Sequence, residues 1–164
     1  MRYLLIDKIV KLEKDKSIEA VKCVAFSEDV FSDHFVGQPV MPGAMLIESL
    51  AQAGTALLEI SRNFTQKALL VIVDQAKFRE IVRPGSQLTI RASLISLTES
   101  AAQLDGTISR KDKIVMNARL TFALDSIEKF YPLKTKHMIE SIYDYWLQDA
   151  ELIGFDSDME VNNE

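Results

Sequence analysis

His34, Gly43 and Glu48 are the residues of this 164-residue chain best suited to chemistry, and they fall within fifteen positions. His34 opens the stretch His34-Phe35-Val36-Gly37-Gln38-Pro39-Val40-Met41-Pro42-Gly43, too rich in Gly and Pro to be helix or strand. Directly behind it comes an apolar run, residues 44–54, that carries one carboxylate, Glu48. Neutral histidine is a competent base near pH 7. A carboxyl on a helix made otherwise of Leu, Ile, Met and Ala is expected to be poorly solvated, which favours its protonated form and lets it act as an acid. Pro42 suits a helix start, and Gly43 lets a substrate approach the free N–H groups there. The positive end of that helix stabilises charge developing on a carbonyl oxygen. Base, acid and oxyanion site in one stretch fit the removal of a proton beside a carbonyl and the protonation of a departing hydroxyl.

The surrounding sequence predicts the elements that hold these groups. Residues 3–13 read as a strand, 14–16 as a turn and 17–26 as a returning strand, with Cys23 expected as a buried thiol. A helix over residues 43–63 is apolar nearly all round, the signature of a helix buried on most faces. Glu48 and Gln52 share one face of it, so Gln52 either orients the carboxyl or satisfies a nearby backbone group. Residues 68–74 form a strongly apolar strand continued with more charge to 82, and Arg83-Pro84-Gly85-Ser86 is a turn. Residues 87–97, 102–109 and 114–124 alternate as strands. The turn between the last two is placed at residues 110–113, with Gly106 read as a bulge. The predicted class is α+β: a curved antiparallel sheet wrapped around one long central helix, with an extra C-terminal helical segment.

Residues 34–54 resemble the active-site segment of the FabZ-type 3-hydroxyacyl-acyl carrier protein dehydratases, a branch of the FabZ/FabA family. That family's pattern is His-Phe-Pro-Gly-x-Pro-x-x-Pro-Gly followed five residues later by Glu, and this chain departs from it only at Val36, where the family has Pro. The sister FabA type carries Asp where Glu48 stands. The resemblance extends over most of residues 3–124, including 3–13, Lys77-Phe78 and Pro84-Gly85. It implies the hot-dog fold, and dimers joined edge to edge into one sheet, with a trimer of dimers as a further assembly. It also implies active sites shared between subunits, with His34 from one and Glu48 from the other. By the same resemblance His34 takes the C2 proton of a 3-hydroxyacyl thioester, and the Gly43 N–H holds the thioester carbonyl. Glu48 protonates the leaving hydroxyl, and the Val40 carbonyl orients the imidazole. The product is a trans-2-enoyl thioester of fatty acid or related lipid or polyketide synthesis. Neither metal nor organic cofactor is implied, because the phosphopantetheine arrives on the substrate's carrier. Val36 should loosen the loop and so affect rate before reaction type. The short helix that family members carry before the first strand has no counterpart here.

Phe35, Met45 and Phe78 are candidates to line the acyl tunnel, with core packing the other reading of Met45, and Gln52 joins them as a substrate-binding candidate. The acidic acyl carrier protein is the expected partner although this chain is itself acidic, at a formal −5. Docking then needs a local basic patch. Lys77, Arg79 and Arg83 are its candidates, unless they merely protect a strand edge. Net negative charge argues against nucleic acid, and one cysteine offers neither a disulfide nor a zinc pattern. No run approaches the roughly 18–20 apolar residues of a membrane span, and the absence of a signal-peptide layout makes the cytoplasm the default. Two rival functions are a hot-dog thioesterase, which gives no reason for the complete His-loop motif, and a non-catalytic carrier-binding or assembly subunit, which need not keep His34 and Glu48. Residues 1–125 make the expected domain. Residues 126–153 make a helical extension, whose stripe of Met138, Ile142, Tyr145 and Trp146 packs on its own domain or a neighbouring subunit, or else caps the tunnel or docks a partner. Residues 154–164 make an acidic tail expected to be disordered. His137 lies in that extension without partner motifs and is assigned no role.

Overall fold

The computed structural model of the protein describes residues 3–130 and 133–155, the side chains of 133–139 excepted. Alternating apolar residues build a hairpin of β1 (Lys8–Glu13) and β2 (Ser17–Cys23), closed by Asp15 in the left-handed region. A short 3-10 turn, Asp29–Ser32, leads into the histidine loop and then α1 (Gly43–Ser61). Asn63 and Phe64, both at positive φ, reverse the chain into β3 (Gln66–Phe78). Then come β4 (Gln87–Leu97), β5 (Ala101–Arg110) and β6 (Lys113–Ser126). The last hairpin turns at Lys111 and Asp112, both at positive φ, with Arg110 opposite Lys113. The strands form one sheet in the order β3-β6-β5-β4-β2-β1-β7, where β7 is Glu151–Ile153. All pairings are antiparallel but one: β7 lies parallel to β1. The extension is therefore more than helical, since α2 (Leu133–Leu147) is followed by a strand that completes the sheet edge.

The sheet curls around α1, whose Leu46, Leu50, Leu57, Leu58 and Ile60 are buried with Ile90, Leu104, Ile108, Leu120 and Phe122 of the strands. Gly106 is no bulge. It pairs in regular register with Ala92 and Ala118, and a Cβ there would meet three Leu50 side-chain carbons at 2.5–2.7 Å, so its role is to let α1 approach the sheet. Cys23 is exposed rather than buried. The inward face of β2 carries Ile18, Ala20 and Lys22, and the period of two turns Cys23 outward. Buried Lys22 pairs there with Glu28 at 3.0 Å and Asp7 at 3.5 Å.

Three strands are shorter than the sequence suggests, and the second of them, expected to reach residue 26, stops at Cys23 because the Ala25 N–H turns to the Glu28 carboxylate. Residues 3–6 lie outside β1, because their backbone is bound by a side chain of α1 rather than by a neighbouring strand. β3 ends at Phe78, after irregularities at Leu70/Ile72 and Asp74/Lys77 that bend it. Only one edge of β3 is paired, and Leu69, Val71, Ile72 and Val73 stand exposed along it, Val71 at 57% and Ile72 at 50%. In α2 the buried stripe is Tyr143, Trp146 and Leu147 with Ile142 half-buried, while Tyr145 points to solvent. Tyr145 lies about 100° from Trp146 around the helix, which carries it off the packed face. Met138 and His137 have side chains outside the described part, and the expected disorder of the tail falls, from residue 156 on, outside the described residues.

Candidate active site

The loop before α1 is held by its own backbone. The His34 N–H donates to Val30 O at 3.1 Å, the Val40 N–H to His34 O at 2.8 Å, and Phe35 and Gln38 exchange hydrogen bonds across the tip. Val40 is thus tied to His34 through the main chain. The half-buried His34 ring stacks on exposed Phe35, centroids 4.0 Å apart and planes at 29°. Pro42, extended at φ −57° and ψ 138°, accepts the first helical bonds from Met45 and Leu46. Gly43 then begins α1, where the first N–H groups have no partner within the helix. A Cβ on Gly43 would stand 2.9 Å from the Phe78 ring, so Phe78 of β3 packs directly against the helix start. Arg83 reaches the same corner, donating from Nη1 to Pro39 O at 3.5 Å. One end of α1 therefore gathers His34, Phe35, Val40, Gly43, Phe78 and Arg83.

Lys77 and Arg79 are exposed on the flank of Phe78, and Arg79 donates to Asn117 Oδ1. Met45 is buried in the core, 6% exposed.

Glu48 lies farther along α1, half-buried, and accepts from Gln52 Nε2 at 2.9 Å. Gln52 does more than orient this carboxyl. Its Nε2 also donates to Tyr3 O and its Oε1 accepts from the Leu5 N–H, each at 2.9 Å, which straps residues 3–5 onto the helix. Gln52 thus contacts the carboxyl and satisfies backbone groups at once. Glu48, Ala51, Gln52 and Thr55 line a cavity of about 440 Å³, with Leu4, Leu70 and residues of α2 opposite. His34 is not among the described residues that line it.

A second carboxylate on α1 has no counterpart in the sequence reading. Glu59 is almost wholly buried yet fully engaged: Lys67 Nζ approaches Oε1 at 2.7 Å, the Ala68 N–H donates to Oε1, and the Tyr143 hydroxyl donates to Oε2 at 2.8 Å. Its signal was the spacing 48, 52, 55, 59, a polar line at i, i+4, i+7 and i+11 along an apolar helix. Among the described residues no cluster of three His, Cys, Asp or Glu is placed to hold a metal ion, and no helix is long and apolar enough to cross a membrane.

A long helix wrapped in a curled sheet, with a His loop at its start and a carboxylate on its second turn, defines a hot-dog protein of the dehydratase layout. Residues 1–119 match the FabA-like domain model. The 3-hydroxyacyl-[acyl-carrier-protein] dehydratase FabZ of Coxiella burnetii is 38% identical over 122 residues, 72% of this chain and 86% of that one. FabZ of Pediococcus pentosaceus is 41% identical over 127 residues, 77% and 85% of the two chains. The chain belongs to the FabA-like family and, within it, to the FabZ-type dehydratases. Among solved structures, the dehydratase heterocomplex ApeI:P from Xenorhabdus doucetiae superposes with a TM-score of 0.59 at 22% identity, covering 86% of this chain and 95% of that one. A Haemophilus influenzae thioesterase superposes with a TM-score of 0.56 at 17% identity, covering 72% and 78%. At these identities the two likenesses speak for the fold alone.

Proposed function

We propose that the protein dehydrates 3-hydroxyacyl-acyl carrier protein thioesters to trans-2-enoyl thioesters in fatty acid synthesis, using His34 as base and Glu48 as acid. The observation that carries the reading is the placing of His34 and Gly43 at the start of α1, with Glu48 on the same helix, in a chain of the FabZ-type family. The His34 imidazole takes the C2 proton, and the electron pair moves into the thioester carbonyl. The oxygen of that carbonyl is held by the Gly43 N–H at the positive end of α1. As the pair returns, the C3–O bond breaks and Glu48 gives its proton to the departing hydroxyl, which leaves as water. Proton exchange with solvent then resets both groups. The chemistry is redox-neutral, and the substrate's own carrier brings the phosphopantetheine arm. The Val40 carbonyl, in the loop where the Val40 N–H donates to His34 O, is assigned to fix the imidazole tautomer.

The working pair comes from two subunits: His34 of one with Glu48 of the partner subunit. Two features support this. Glu48 opens into a cavity that His34 does not line, and the apolar outer edge of β3 is suited to continue into a second copy's sheet. A trimer of such dimers is the further assembly this reading allows, and the cytoplasm is its setting. Phe35 and Phe78 guard the entrance, Met45 backs it from the core, and Lys77, Arg79 and Arg83 around Phe78 receive the acidic carrier.

The test is hydration of crotonoyl and dehydration of 3-hydroxybutyryl thioesters by wild type, His34→Ala and Glu48→Gln. Wild-type turnover with a loss of about 10²-fold or more in each variant is expected. A wild type inactive on short and long chains, on carrier protein and on coenzyme A, would sink the reading.

A further inference from the structure

Helix α2 and strand β7 lie beyond residues 1–119 that match the family model, yet α2 faces the candidate site directly. The cavity beside Glu48 is walled on the α2 side by Ile142, Tyr143 and Trp146. Along α1 it runs from Glu48 to Thr55, seven residues and about 10 Å at the helical rise. Its 440 Å³ is the size of a small-molecule site. A carboxyl stands at one end, and Leu4, Ala51, Leu70, Ile142 and Trp146 supply apolar wall.

Ile142 and Trp146 also line a second cavity of about 540 Å³, together with Leu4, Ile6 and Tyr145 and the polar Asp7 and Ser141. Leu4, Ile142 and Trp146 belong to both linings and so form the partition between the two spaces. The partition is fastened at several points. Tyr143 donates to buried Glu59 and packs against Phe64 and Trp146. Beyond α2, Asp149 and Glu151 pair with Lys8 and Lys11 at 2.8 and 3.1 Å, and β7 is zipped to β1. This is a fixed wall rather than a swinging lid.

We propose that α2 is the end wall of the acyl-chain pocket, and that Ile142 and Trp146 set the longest 3-hydroxyacyl group the enzyme accepts. The inference rests on the dehydratase reading for its substrate, and on the partition for its mechanism. An acyl tail passing Glu48 is stopped where the two side chains meet, and shortening either one joins the first cavity to the second.

The test compares kcat/KM for 3-hydroxydecanoyl and 3-hydroxybutyryl carrier-protein thioesters in wild type, Ile142→Ala and Trp146→Ala. The long-to-short ratio should rise tenfold or more in each folded variant. Ile142 is only half-buried, so its variant keeps the test alive if Trp146→Ala fails to fold. An unchanged ratio in a folded variant of an active enzyme overturns the wall and leaves the dehydratase reading standing. If the wild type is inactive, fluorescence decides, because Trp146 is the chain's single tryptophan. Titration with decanoyl-pantetheine amide should shift its emission saturably, while acetyl-pantetheine amide should not. A silent tryptophan then overturns the wall, and a responsive one upholds it although the dehydratase reading has failed.

Discussion

Gln52 shows how much one side chain can carry in this site. Its amide spends both ends on structure and chemistry at once, bonding Tyr3 and Leu5 on one hand and the Glu48 carboxyl on the other. Replacing it with Ala leaves the buried Leu5 N–H unpaired, at about 1–3 kcal/mol, and frees the carboxyl to rotate. Gln52→Ala should therefore lower both the melting temperature and kcat, with KM moving less. Thermal unfolding and steady-state kinetics on one preparation check this. A variant with a lowered melting temperature but wild-type kcat would reduce Gln52 to a strap. The Val36 position is the opposite case: its side chain is exposed at 85%, and the loop tip around it is closed by the backbone bonds between Phe35 and Gln38.

At the scale of elements, the approach of α1 to the sheet decides whether the helix start and Glu48 are correctly held. Gly106→Ala would drive a methyl group into Leu50, which is fully buried and has no room to withdraw. Overpacking of this kind costs about 1–3 kcal/mol. Chemical denaturation should show that loss with little change in m-value, and a neutral result would mean that Leu50 has an alternative rotamer. The β5–β6 pair carries a titratable contribution of its own. Arg119 grips Asp105 with two hydrogen bonds at 2.7 and 3.0 Å, and holds its carboxyl below the ordinary value of 3.8. A carboxylate depressed on folding stabilises above its unfolded pKa, and that contribution is lost as pH falls through the folded one. The pair is largely exposed, so it is worth at most about 1 kcal/mol. Asp105→Asn should be slightly less stable than wild type at neutral pH, with the difference vanishing as the pH is taken well below 3.8. Denaturation midpoints at pH 7 and pH 3 check it.

For the whole molecule the open question is how His34 meets its carboxylate, and the outer edge of β3 is where a second copy would answer it. Coexpressed His34→Ala and Glu48→Gln subunits, each inactive alone, should regain activity in mixed dimers. In such a dimer one site keeps both groups and the other has lost both. Random mixing gives about one quarter of wild-type activity in a C2 dimer. No recovery, with mixed dimers demonstrated by differential tagging, would place the two groups within one chain. The carboxy-terminal segment matters at this scale too, because α2 and β7 add a wall and a strand to a fold that matches the family model without them.

The loop and the helix start of the candidate site were legible in the sequence because they are local. A Gly- and Pro-rich loop, a helix start and a carboxylate one and a half turns on depend only on short-range geometry, and α1 begins at Gly43 as the Pro-Gly pair predicts. Strand order along the last hairpins was equally legible, since period-two alternation and turn residues act between neighbours. What lay beyond the sequence were contacts between distant segments. Cys23 and Lys22 exchanged their expected places because a one-residue shift of phase reverses a strand's faces. Gly106 looked like a bulge until Leu50, fifty-six positions away, was seen to occupy its missing side chain. Glu59 found Tyr143, and β7 found β1, only through the tertiary fold. Local propensity is written residue by residue, whereas burial, register and the shape of a cavity exist only once the chain has closed on itself.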